Sequence, residues 1–264
     1  MQPLGEKDYI MDERTLLTKR EVQLRLLSIW SDVEYIFRQE GVRYFLSFGS
    51  LLGAVRHQGF IPWDDDLDIH IHQDDYQKAL VALTACLPPY LKVITHAPGM
   101  EWEIDFRVMD KHTQLEDIRT STKTHVGLFI DFFSADRCHP KMGYLHGLCK
   151  QWKHLHQRTP NNLKTWQRWI YPLLLLCLVV LRTMPGKTHW FVNDKVESTT
   201  FCPNTLWPLQ SALFEGRVYS VPADADRLLQ AWYGDYMTPL PVSKQSGHFT
   251  ACYATDSSVK KVFS

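Results

Sequence analysis

Residues 64–72 read Asp-Asp-Asp-Leu-Asp-Ile-His-Ile-His. From Asp66 onward polar and apolar residues alternate strictly. That predicts a strand with Asp66, Asp68, His70 and His72 on one face and Leu67, Ile69 and Ile71 on the other. The apolar face is expected to pack on the core. The opposite face then presents two carboxylates about 7 Å apart at their Cα atoms, directly after Asp64 and Asp65. Aspartate is depleted in strands and like charges repel, so this row is costly unless a cation sits among its members. Hard divalent ions, Mg2+ or Mn2+, take such an oxygen donor set and complete it with phosphate and water. The alternative is a solvated acidic strand end. His70 and His72 would suit zinc better than Mg2+ and read as supporting or surface groups.

Upstream, Gly49-Ser50 stands where a strand is expected to run into a helix. Small residues there let backbone N–H groups approach an anion at the helix N-terminus. A further carboxylate, Asp131, lies inside the apolar run VGLFIDFF, and a buried carboxylate needs a metal or a cationic partner such as Arg107. Asp105, in WEIDFRVM, is the rival third carboxylate. Cys138-His139 with His146 and Cys149 matches no structural-zinc spacing.

These residues need elements to hold them. Thr18-Lys-Arg-Glu21 has capping-box spacing, and Val22, Leu26, Ile29, Val33 and Phe37 follow at helical steps up to Gly41. Residues 43–48 predict a short buried strand, LLGAVRH a short helix, 66–72 the acidic strand and 74–87 another helix. Strands are expected at 90–95, 102–109 and 126–133, helices at 140–157 and 161–183, a hairpin at 214–221 and a last helix at 223–232. The pattern gives an α/β (α+β) fold with residues 18–137 as the catalytic core. Residues 138–241 form a helical C-terminal part packed on it, and 1–17 and 242–264 are terminal extensions.

Gly-Ser followed by Asp-apolar-Asp on the next strand resembles the nucleotidyltransferase superfamily, with its polymerase β-like mixed sheet. The string GSLLGAVRHQGFIPWDDDLDI is similar to the LicD family of phosphocholine and phospho-alditol transferases, of which fukutin and fukutin-related protein are distant animal members. FIDFFSAD (129–136) resembles the family's third acidic strand and YGDYMTPLP (233–241) its C-terminal signature. The resemblance favours Asp131 over Asp105 and implies Asp66, Asp68 and Asp131 as catalytic and metal-holding groups. It places Gly49, Ser50, Arg56 and His57 at the nucleotide phosphates, the last two on a glycine-bounded loop that reads equally as a solvated face. Asp64, Asp65 and Arg107 are lesser candidates. The implied reaction moves a phospho-alcohol, most often phosphocholine, from a CDP-alcohol to a sugar hydroxyl of a cell-surface or lipid-linked glycan such as lipopolysaccharide. A nucleotidyltransferase moving NMP from an NTP to a sugar phosphate or alcohol phosphate, and an inactive membrane-associated scaffold, are the alternatives. Counterparts of the animal members' membrane anchor and cysteine-based zinc element are not expected here.

Composition bounds the rest. Lys and Arg number 29 against 29 Asp and Glu, so no surplus of cations exists to displace counterions from nucleic acid. The six cysteines show no paired spacing, which fits a reducing compartment, and a cytoplasmic location is expected. The longest apolar stretch, 170–181, would cover about 18 Å as a helix against a hydrocarbon core of about 30 Å. Residues 164–187 therefore read either as a core helix or as a peripheral contact with the inner face of the cytoplasmic membrane.

Overall fold

The computed structural model describes residues 14–95, 104–116, 126–158, 165–183, 185–186, 189–192, 200–256 and 259. After a two-residue strand, β1 (Thr15–Leu16), helix α1 (Lys19–Glu40) starts on the expected capping box. Glu21 accepts from the Thr18 backbone N–H at 2.7 Å, and the Glu21 N–H donates to the Thr18 hydroxyl at 3.3 Å. The helix ends at Gly41, whose φ of 61° is the left-handed turn a Cβ disfavours.

Next come β2 (Tyr44–Leu46), α2 (Phe48–His57), β3 (Asp68–His72), a 3-10 turn (Gln73–Asp75) and α3 (Tyr76–Cys86). Strands β4 (Leu91–Ile94), β5 (Phe106–Asp110), β6 (Thr113–Glu116) and β7 (Phe129–Cys138) follow, then helices α4 (Gly143–Arg158) and α5 (Thr165–Thr183). The remainder is β8 (His189–Val192), β9 (Thr200–Phe201), α6 (Pro203–Leu206), β10 (Gln210–Phe214), β11 (Arg217–Val221), α7 (Ala225–Tyr233) and β12 (Ala251–Ala254).

The main sheet runs β2-β3-β7-β5-β4. Only β3 and β7 are parallel in that path, so the sheet is mixed. The first half of β7 lies between β3 and β5, and its second half pairs with β8, which carries β9. One face, bearing Ile69, Ile71 and Phe132, meets α1 and α3. There Phe132 packs on Trp30 and Phe37 and stacks on Phe106, which meets Tyr76.

The face expected to be polar is also covered. His70 and His72 are fully buried, which corrects their reading as surface groups. His70 stacks on Phe45 and Phe133, and His72 sits between Trp190 and Trp207. Burial keeps His70 neutral, its pKa pushed down to about 3. The strand itself begins at Asp68, and Asp66 lies on the approach to it.

The part expected to be helical contains strands β8 and β9 besides the expected hairpin, formed by β10 and β11. Residues 251–254, expected in a terminal extension, form the middle strand of a second sheet ordered β1-β12-β6.

Candidate active site at the aspartate loop

The turn from β2 into α2 is fastened to β3 at two points. The Ser47 N–H donates to the Asp68 carbonyl at 3.0 Å, and the Asp68 N–H donates to Ser50 Oγ at 2.9 Å. Ser47 Oγ lies 2.6 Å from His70 Nδ1 and makes no cap to α2. A Cβ at Gly49 would stand 2.7 Å from Asp64 Oδ2, so a side chain there would displace that carboxylate. The start of α2 and the aspartate loop are thus in van der Waals contact, with the helix's positive end toward the carboxylates.

Sheet register supplies the next pair. Asp68 and Asp131 are partners across the parallel β3–β7 ladder, and Asp131 faces Arg107 across the antiparallel β7–β5 ladder. Both Asp131 oxygens accept from Arg107, Nε at 2.9 Å and the second guanidinium nitrogen at 3.0 Å. Arg107 lies over the Phe129 ring, 3.7 Å from its centroid. The Arg107 partner considered from sequence is therefore real, and it fixes Asp131 beside Asp68.

Asp64 and Asp66 lie in hydrogen-bond contact with each other. Burial, followed by the neighbouring Asp66 charge, pushes Asp64 up to about 8. Burial, with the charges of Asp65 and Asp131, pushes Asp66 up to about 7. Two carboxylates so placed hold one proton between them, or a cation.

Asp65 behaves oppositely. Burial disfavours its charge, but bonds from His248 and Lys19 outweigh it and hold the carboxyl below the usual range. Oδ1 accepts from the His248 N–H at 2.7 Å and Oδ2 from Lys19 Nζ at 2.5 Å. Gly247 permits this approach, since a Cβ would fall 1.8 Å from Asp65 Oδ2. His248 Nδ1 in turn lies 3.2 Å from Asp66 Oδ2.

Asp64, Asp65 and His248 converge closely enough to ligate an ion. Asp65 has both oxygens engaged by protein donors, which leaves Asp64 and Asp66 as the touching pair whose oxygens could accept a hard ion. Tyr233, from the YGDYMTPLP segment, faces the same group. Though 45% of its surface is exposed, desolvation and the charges of Asp68, Asp64 and Asp66 raise its pKa.

Other sequence candidates stand elsewhere. Asp105 is paired with buried Lys150 at 2.9 Å and accepts from the Ser134 N–H at 2.7 Å, which gives it a structural partner. Arg56 and His57 sit in the last turn of α2, about 9 Å along the axis from Ser50. There Arg56 donates to the Tyr236 carbonyl at 2.5 Å and to His57 Nε2 at 3.0 Å. Lys19, Tyr233 and His248 were not singled out from sequence. Tyr233 lay inside a motif already noticed, whereas nothing local marks Lys19 or His248.

The LicD/FKTN/FKRP nucleotidyltransferase domain model matches residues 41–175, about half the chain, from the start of β2 into α5. This chain belongs to the LicD family. Lipopolysaccharide cholinephosphotransferase LicD of Haemophilus influenzae is 24% identical over 270 aligned residues, covering 88% of this chain and 96% of that one. Ribitol 5-phosphate transferase FKRP of Homo sapiens is 52% identical over 40 residues, 15% of this chain and 8% of that one. An uncharacterised protein of Rickettsia prowazekii is 46% identical over 52 residues, 20% of each chain. The LicD domain match spans every carboxylate described above, while Lys19, Tyr233 and His248 lie outside it.

Proposed function

We propose that this LicD-family protein is a divalent-metal-dependent phosphotransferase. It would move phosphocholine, or a related phospho-alcohol, from a CDP-alcohol to a sugar hydroxyl of a glycan. The observation that carries this reading is the placement of Asp64, Asp66 and Asp68 around Tyr233 and the N-terminal end of α2, with Asp131 beside Asp68. Two of these carboxylates are pressed into a shared hydrogen bond that a cation would replace.

Asp66 and Asp68, with Asp64 beside them, are the groups that would hold Mg2+ or Mn2+, and Asp131, whose two oxygens Arg107 engages, flanks Asp68. The ion, when bound, would neutralise a diphosphate and the charge gathering on the departing nucleotide. The chain's own residues do the rest. Asp68 is oriented through its backbone by Ser47 and Ser50. Arg107 fixes the Asp131 carboxylate, and Lys19 and His248 fix the loop through Asp65.

In the transfer, the acceptor hydroxyl oxygen forms a bond to the phosphorus that bears the alcohol. The bond from that phosphorus to the bridging oxygen breaks, and CMP leaves with the electron pair. The hydroxyl proton passes to a carboxylate of this row whose oxygens Arg107 does not engage. The mixed sheet, with its parallel β3–β7 pair bearing Asp68 and Asp131, supports the same assignment.

The test is incubation with Mg2+ and a panel of CDP-choline, CDP-ribitol and CDP-glycerol beside the four NTPs, with a lipopolysaccharide acceptor. CMP released in step with acceptor labelling is the expected result. Pyrophosphate released from an NTP would instead assign NMP transfer. Neither product from a well-folded protein, with or without Mg2+, would refute an enzymatic role on these substrates.

A further inference from the structure

Helix α5 presents a second, unrelated feature. Its inner side, with Leu174, Cys177 and Leu181, packs on Met142, Leu145 and Cys149 of the segment leading into and through α4. Its outer side is apolar as well and faces outward. Trp169, Ile170, Leu173, Leu176, Val179 and Val180 are all exposed, Trp169 at 75% and Leu173 at 65%. A helix that is apolar all round is ordinarily buried on every side. This one is buried on one side only.

Charge identifies what covers the other. The chain is neutral overall, yet residues 137–193 contain nine Lys and Arg and no Asp or Glu, leaving 20 against 29 in the rest of the chain. The exposed apolar stripe thus lies within a cationic segment of an otherwise acidic molecule. Lys150 of that segment is paired inside, with Asp105 at 2.9 Å and Ser134 Oγ at 2.8 Å, and His146 meets Asp136 at 3.2 Å. Those contacts anchor α4, and α5 with it, to β7, the strand that carries Asp131.

We infer that the outer face of α5 docks in the plane of an anionic lipid bilayer, with its apolar stripe at the acyl boundary and the segment's positive charge at the headgroups. An apolar face and a cationic segment are the two terms that drive interfacial helix binding, and a lipid surface of anionic headgroups over hydrocarbon matches both. No helix among the described residues is long and apolar enough to cross a membrane, and α5 has one side already committed to α4. It therefore lies along the surface. Docking at this face is independent of which donor the aspartate loop uses.

The experiment is flotation of the full chain with vesicles of phosphatidylcholine, alone or mixed with phosphatidylglycerol. Sedimentation velocity without lipid and a thermal melt accompany it. The wild type is expected to be monomeric and to float with the mixed vesicles at low salt, less as salt rises and much less with phosphatidylcholine alone. Leu173→Glu with Leu176→Glu should lower partitioning at least about tenfold while leaving the melting temperature unchanged, because both side chains are exposed. Trp169→Ser provides a second variant with the same expected direction. Absence of flotation at low salt would overturn the inference, as would equal flotation of wild type and variants. A wild-type dimer that the two glutamates dissociate would overturn it too, by assigning the face to a second copy of the chain.

Discussion

Removing divalent metal should make the fold pH-sensitive in a window where little else titrates. Asp64 and Asp66 hold on to protons in the folded chain up to about 8 and about 7, against an ordinary value of 3.8. The folded state therefore binds more protons than the unfolded one between these limits, and stability falls as pH rises through them. Asp65, Asp75 and Glu215 have depressed values. Their contribution is present above the usual carboxylate range and is lost only as pH falls below it. The histidines held neutral, His57, His70 and His72, favour the fold increasingly up to their unfolded value near 6.5 and are silent above it. From about pH 6.5 to 8 the aspartate pair dominates.

One shared proton lost over that interval is worth about 1–2 kcal/mol. For a chain of this size that lowers the melting temperature by about 3–6 °C. With saturating Mg2+ the carboxylates are already deprotonated, so the curve should be flat and the stabilisation by metal should grow with pH. Thermal melts in EDTA and in Mg2+ across the window read this directly. Calorimetric titrations of Mg2+ in two buffers of different ionisation enthalpy should show about one proton released near pH 6.5. A melting temperature in EDTA that is flat or rises from 6.5 to 8, with no proton release on metal binding, would refute the shared-proton reasoning.

Asp66→Asn and Asp68→Asn should each reduce turnover by at least about a hundredfold while melting at or above the wild-type temperature in EDTA at pH 8. Inactivity accompanied by loss of the folded circular dichroism signal would make these residues structural instead. Lys150→Met leaves Asp105 and Asp136 buried without their cation, and a loss of about 3–5 kcal/mol in denaturant titrations is expected. Adding Asp105→Asn should restore part of it, and purely additive effects of the two changes would count against the pairing.

Where local chemistry determines structure, the sequence was a good guide. The Thr18–Glu21 capping box and Gly41 set the two ends of α1, and the alternation after Asp66 marked β3. The aspartates were legible because four acids in five positions make little sense without a ligand. What covers the second face of the sheet was not legible. His72 looks like a surface residue until Trp190 and Trp207 arrive from more than a hundred residues away, and His70 until Phe133 stacks on it. Strands β6 and β12 are four residues each, with no strong period, and they exist because they find one another across the chain. The Arg107–Asp131 pair depends on strand register, and Lys150 on α4 gives no local sign that it is buried.

Asp65 connects the aspartate loop at once to Lys19, near the first residues described, and to His248, near the last. During synthesis the carboxylates of residues 64–68 emerge from the ribosome long before residue 248 does. Until then Asp65 lacks the backbone N–H that holds its carboxyl, Asp66 lacks its imidazole neighbour, and β6 lacks the strand it pairs with. A nascent chain can lay down β3 and β7 but not a finished loop. The loop is finished only once residue 248 has emerged, so products truncated before it would carry the whole acidic motif without the His248 contact that holds Asp65.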